Sequence, residues 1–167
     1  MVSVDINKIQ INSELEDILP SLSKDDYNVL EKSLIENGFN PQFGRIKVWF
    51  PENIEDVGYI IDGHNRYKIC HNHNIKLSDE CFEAVFIDTK EEVIKWMFEN
   101  QLARRNLSLV DKFRIIEKYT AHLEVLAKKN QSNGGLINPT KLNVQKGKAK
   151  VAGISSNNFY KLNKIMK

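Results

Sequence analysis

Residues 58–62 (GYIID) are rich in β-formers and pass through one glycine, Gly63, into His64-Asn65-Arg66-Tyr67, where a helical pattern starts. No room is left for a loop. A strand that becomes a helix within one residue fixes its own turn geometry. The first backbone N–H groups of the helix lack intrahelical partners, and the positive end of the helix dipole lies at the same point. That geometry suits an anion: glycine permits close approach, and Arg66 on the first turn carries a guanidinium able to fork onto phosphate oxygens. A tight turn closed by an Asp62–Arg66 ion pair is the simpler reading of the same residues.

The surrounding chain alternates strand and helix. Ser23 with Asp26 opens like a capping box, and Tyr27, Leu30, Leu34 and Ile35 recur at helical spacing, which predicts a helix over 24–37. Gly38 ends it, and Asn40-Pro41 forbids its continuation. Residues 46–50 (IKVWF) and 82–87 (FEAVFI) read as strands alongside 58–62. Helices are expected over 64–74, with Tyr67 and Cys70 on one face and Ile69 beside them, and over 90–101, with Val93, Ile94, Met97 and Phe98 apolar. The order implies an α/β (α+β) fold, a small mixed sheet with helices. Ser108, with Asp111 three residues on, caps a longer helix that runs to about residue 129 through Phe113, Ile116, Tyr119, Leu123 and Leu126. Residues 131–140 (QSNGGLINPT) form a polar connector, and 141–167 read as two short helices around Ala152-Gly153-Ile154-Ser155. The expected organisation is an α/β domain over 1–107 and an all-α region over 108–167, with helix-turn-helix punctuation at about 142–167.

Charge divides along the same line. Residues 1–124 hold 15 basic and 22 acidic side chains, whereas 125–167 hold nine lysines and no acid. A tail with that much uncompensated positive charge fits a polyanionic partner, and its alternative is a solvated lysine-rich surface. Within it Val144, Val151 and Ile154 pack toward Phe159, Leu162 and Ile165. Ser155, at the cap, and Ser156, Asn157, Asn158, Tyr160, Lys161 and Lys164 are the candidate double-stranded-DNA contacts, amides and hydroxyls for base edges and lysines for phosphates.

A second basic group, Glu99-Asn100-Gln101-Leu102-Ala103-Arg104-Arg105-Asn106, lies between two expected helices. Adjacent arginines flanked by amides can surround a polyphosphate, with Asn100 or Glu99 giving oxygen to a hydrated Mg²⁺; surface ion pairs are the plain alternative. The remaining features bound the function. No apolar run approaches the roughly 18 residues of a membrane span, and the first twelve residues lack the order of a secretory signal, so the expected location is cytoplasmic. Cys70 and Cys81 form no CxxC pair, and with His71 and His73 give no four-ligand zinc spacing, so packing is their expected role. Trp49 and Trp96 are expected in the core.

DGHNRY at 62–67, then ENQLARRNLS at 99–108, then AGISSNNFYKLNKI at 152–165 together resemble the ParB family in its mobile-element form. Ile18-Leu19-Pro20 and Gly38-Phe39-Asn40-Pro41 match that family's entry, so the resemblance spans roughly residues 8–167. It implies a ParB/sulfiredoxin-like nucleotide-binding domain followed by a DNA-binding helix-turn-helix, a homodimer, and CTP or another nucleoside triphosphate with Mg²⁺ as ligand. The family's Gly-Glu-Arg-Arg box falls on Gly63, His64, Asn65 and Arg66, where the glycine and the last arginine match and the acid and first arginine do not. Because that acid belongs to the hydrolytic machinery, the resemblance favours binding over turnover, with weak CTPase-like hydrolysis at most. Its Glu-Asn-x-Gln-Arg box meets Glu99, Asn100 and, after a one-residue shift, Gln101 with Arg104 or Arg105. The stretch Pro41-Gln42-Phe43-Gly44-Arg45 is longer than the family's connection, which leaves the base-binding loop unassigned.

The implied role is a nucleotide-responsive DNA-binding protein of plasmid or chromosome partition or of mobile-element regulation. The alternative is a nucleotide-dependent kinase, because the ParB-like free-serine kinases carry Asp-Gly-His-His-Arg where this chain has Asp62-Gly63-His64-Asn65-Arg66, with Asp62 or His64 as catalytic candidates. Sulfiredoxin chemistry needs a cysteine at His64-Asn65 and is rejected. A nuclease wants more carboxylates than Asp62 and Glu99.

Overall fold

The computed structural model describes residues 5–51, 57–103 and 107–132. In chain order the elements are β1 (Ile9–Gln10), α1 (Ser13–Glu16), α2 (Lys24–Asn37), β2 (Ile46–Trp49), β3 (Gly58–Asp62), α3 (His64–Asn72), β4 (Phe82–Val85), α4 (Lys90–Leu102) and α5 (Leu109–Ser132). The fold is mixed α/β, as the alternation of patterns implies.

Local chemistry sets the helix starts. Ser23 Oγ accepts from the Asp26 N–H at 3.1 Å and donates to the Asp26 carboxylate at 2.6 Å. The same reciprocal arrangement recurs at Ser108 with Asp111 and at Thr89 with Glu92. Each satisfies an N–H that the first helical turn leaves open. Gly38 closes α2 with a φ of +70°, and its N–H donates to the Leu34 carbonyl.

The chain divides into two compact units, Met1–Met97 and Phe98–Lys167, with the division inside α4. In the first, the sheet order is β1-β3-β2-β4: β1 runs parallel to β3, β2 antiparallel to β3, and β4 parallel to β2. Sequence periodicity predicts three of these strands. It misses β1, which at two residues is too short to show alternation, and the one-turn helix α1, whose Leu15 is fully buried. The expected strand over 82–87 stops at Val85, and Phe86 beyond it is exposed.

One face of the sheet contributes Ile9, Ile46, Val48, Ile60 and Phe82 to the core, against which Phe39, Tyr67 and Leu77 pack. Behind it Ile69 and Cys70 of α3 meet Leu34 of α2. Cys70 and Cys81 are thus buried packing residues, as expected, and Trp49 is buried with its indole N–H donating to the Ile87 carbonyl at 2.8 Å. Trp96 is half-buried. Gly58 starts β3 where no side chain fits: a Cβ there would stand 2.5 Å from Phe50 Cε1 and 2.6 Å from Val48 Cγ1. In the second unit Phe98 and Tyr119 rings meet at 4.7 Å, and Phe113, Ile115 and Ile116 of α5 are buried. No helix among the described residues is long and apolar enough to cross a membrane.

Candidate anion site at the end of strand β3

Gly63 is the single residue between β3 and α3. Its φ of +94° lies in the left-handed region, which L side chains disfavour, and a Cβ there would stand 3.2 Å from Ile46 Cγ1 and 3.4 Å from Ile46 Cα. The turn therefore needs glycine on two grounds, backbone conformation and the wall formed by β2. No side chain caps α3. Its first N–H groups open at the carboxyl end of β3, the place where open α/β sheets take ligands.

Arg66 is engaged from several sides. Its Nη1 donates to the Gly44 carbonyl at 2.5 Å, Nη2 stands 3.5 Å from the Arg45 carbonyl and 3.6 Å from Asp62 Oδ2, and the guanidinium lies over the Phe39 ring at 5.7 Å. The Asp62–Arg66 pair anticipated for a simple tight turn is present, and both side chains are largely shielded from solvent. Phe39 and the two loop carbonyls are partners that sequence spacing does not reveal, because they become neighbours of residue 66 only once β2 and β3 pair.

His64 begins α3. Its ring is hydrogen-bonded to the Ile60 backbone, and its Nε2 is buried with no hydrogen-bond partner. Burial pushes the imidazole below its usual value, opposed by the carboxylates of Glu16 and Asp62 and assisted by Lys68. The ring is thus held neutral. Glu16 itself forms an ion pair with Lys68. Asn65 is half-buried on the same first turn. Farther along α3, burial raises the Cys70 thiol, the neighbouring Cys81 adds to this, and Arg66 opposes it.

Gly63, His64, Asn65 and Arg66 thus stand together, with Asp62 beside them. Asn100 and Gln101 are half-buried on α4 in the second unit. Arg104 and Arg105 lie outside the described residues, as do Ser155, Ser156, Asn157, Asn158, Tyr160, Lys161, Lys164 and the whole expected helix-turn-helix. Among the described residues no group of three or more His, Cys, Asp or Glu side chains is placed to hold a metal ion.

No protein-family model and no curated sequence matches the chain. Solved structures do. The pNOB8-like ParB N-domain is similar with a TM-score of 0.61 and 17% identity, over 95% of this chain and 61% of that one. The C-terminally truncated chromosome-partitioning protein ParB from Caulobacter crescentus, solved with CTP-gamma-S, is similar with a TM-score of 0.45 and 16% identity, over 93% of this chain and 72% of that one. This chain thus spans about three-fifths of the pNOB8-like structure. At such identity the likeness concerns architecture, and the four-stranded mixed sheet with its helices has the fold of a ParB N-domain.

Proposed function

We propose that the protein is a ParB-like, nucleotide-responsive DNA-binding protein acting in partition or mobile-element regulation. The observation that carries the reading is the uncapped amino terminus of α3, set behind a glycine of left-handed φ with crowded neighbours at the end of β3, in a ParB N-domain fold. A phosphate fits there because the open N–H groups at the start of α3 supply donors. Gly63, His64, Asn65 and Arg66 form the phosphate turn. The sequence resemblance assigns Asn100, Gln101, Arg104 and Arg105 to the same nucleotide, CTP or another nucleoside triphosphate, with Mg²⁺ arriving on its phosphates and Asn100 orienting it. A bound triphosphate brings a negative charge that the helix dipole offsets. His64 stands in place of the family's acid and is neutral, so binding with little hydrolysis is the expected behaviour.

DNA is assigned to the lysine-rich tail, which has no acid after Glu124, through Ser155, Ser156, Asn157, Asn158, Tyr160, Lys161 and Lys164 on a homodimer. Two measurements on the full chain test the reading. Calorimetry with CTP, ATP and GTP, each with Mg²⁺, is expected to show saturable binding of at least one. Labelled duplex DNA is expected to bind with an affinity that falls with salt at a log–log slope near about −0.9 per phosphate contact. No heat with any nucleotide removes the ligand, and a salt-independent affinity removes DNA as the partner. Steady ATP or ADP consumption in the presence of free serine favours the kinase instead.

A further inference from the structure

We draw no further inference here: the strongest candidate, the outer edge of β4 with the exposed Phe86 just beyond it, is unpartnered among the described residues, and nothing in the structure shows what covers it.

Discussion

Two connections meet at one end of the sheet. That from β3 to α3 takes a single residue and is held by its own backbone, with the Tyr67 N–H donating to the Gly63 carbonyl at 2.9 Å. That from α2 to β2 takes Gly38 through Arg45, with one short turn at Pro41–Phe43 capped by the Asn40 side chain, and its far end is held by a side chain 22 residues later. The first connection thus closes on its own backbone, whereas the end of the second is held by the Arg66 side chain. A loop tied in this way takes its order from the turn it touches, and the dependence runs in one direction.

Arg66→Ala breaks that dependence. It removes the donors to Gly44 and Arg45, the cation over Phe39 and the partner of a carboxylate that is 12% exposed, and is expected to cost about 3 kcal/mol by denaturant unfolding. Amide exchange should rise over 40–46 and stay near wild type in α3. A uniform rise across both connections would mean that neither is subordinate. The two glycines sharpen the contrast. At Gly63 a new Cβ stands 3.0 Å from Arg66 Nη2 and 3.2 Å from the buried Ile46 Cγ1, and takes up a φ of +94°, so Gly63→Ala is expected to cost about 2 kcal/mol. At Gly44, with φ +120°, the single neighbour is the end of the Arg66 side chain at 3.4 Å, and the exposed loop can relax, so Gly44→Ala is expected to cost about 1 kcal/mol. Thermal melts of the pair should separate by several degrees, and coincident melts would show that the wall at Ile46 yields.

The same contrast explains what was legible in the sequence. Helix α2 begins at Lys24 and ends at Asn37, the bounds that Ser23, Asp26 and Gly38 indicate, because caps and glycine stops act within four residues of one another. The β3–α3 turn was legible for the same reason. Strand β1 was not, since a two-residue strand owes its existence to its partner β3 rather than to its own pattern. Nor was the meeting of Phe39, Gly44 and Arg66, which follows only once β2 lies beside β3 with Lys47 paired to Asp62. Spacing picked out Arg66 from its place on the helix. What that arginine touches depends on which strand lies beside β3.

The smallest effect concerns His64, where the turn's own chemistry is read without its neighbour. Burial holds the imidazole below its usual 6.5, so on acidification the unfolded chain takes up the proton before the folded one. Stability from this group is therefore complete above about pH 6.5 and is lost as pH falls from there toward the lowered folded value, the direction required wherever the unfolded state binds more protons. His64→Gln removes that component. The difference in unfolding free energy between wild type and His64→Gln is expected to be constant from pH 8 to about 6.5 and to move against wild type below it. The carboxylates of Glu16 and Asp62 limit the size of the change, because each attracts the proton that burial repels. A difference that stays flat to pH 5 would mean that the ring is solvated rather than held neutral. Exchange over 40–46 should not follow this titration if the loop answers to Arg66 alone, so the pH series also separates the two connections.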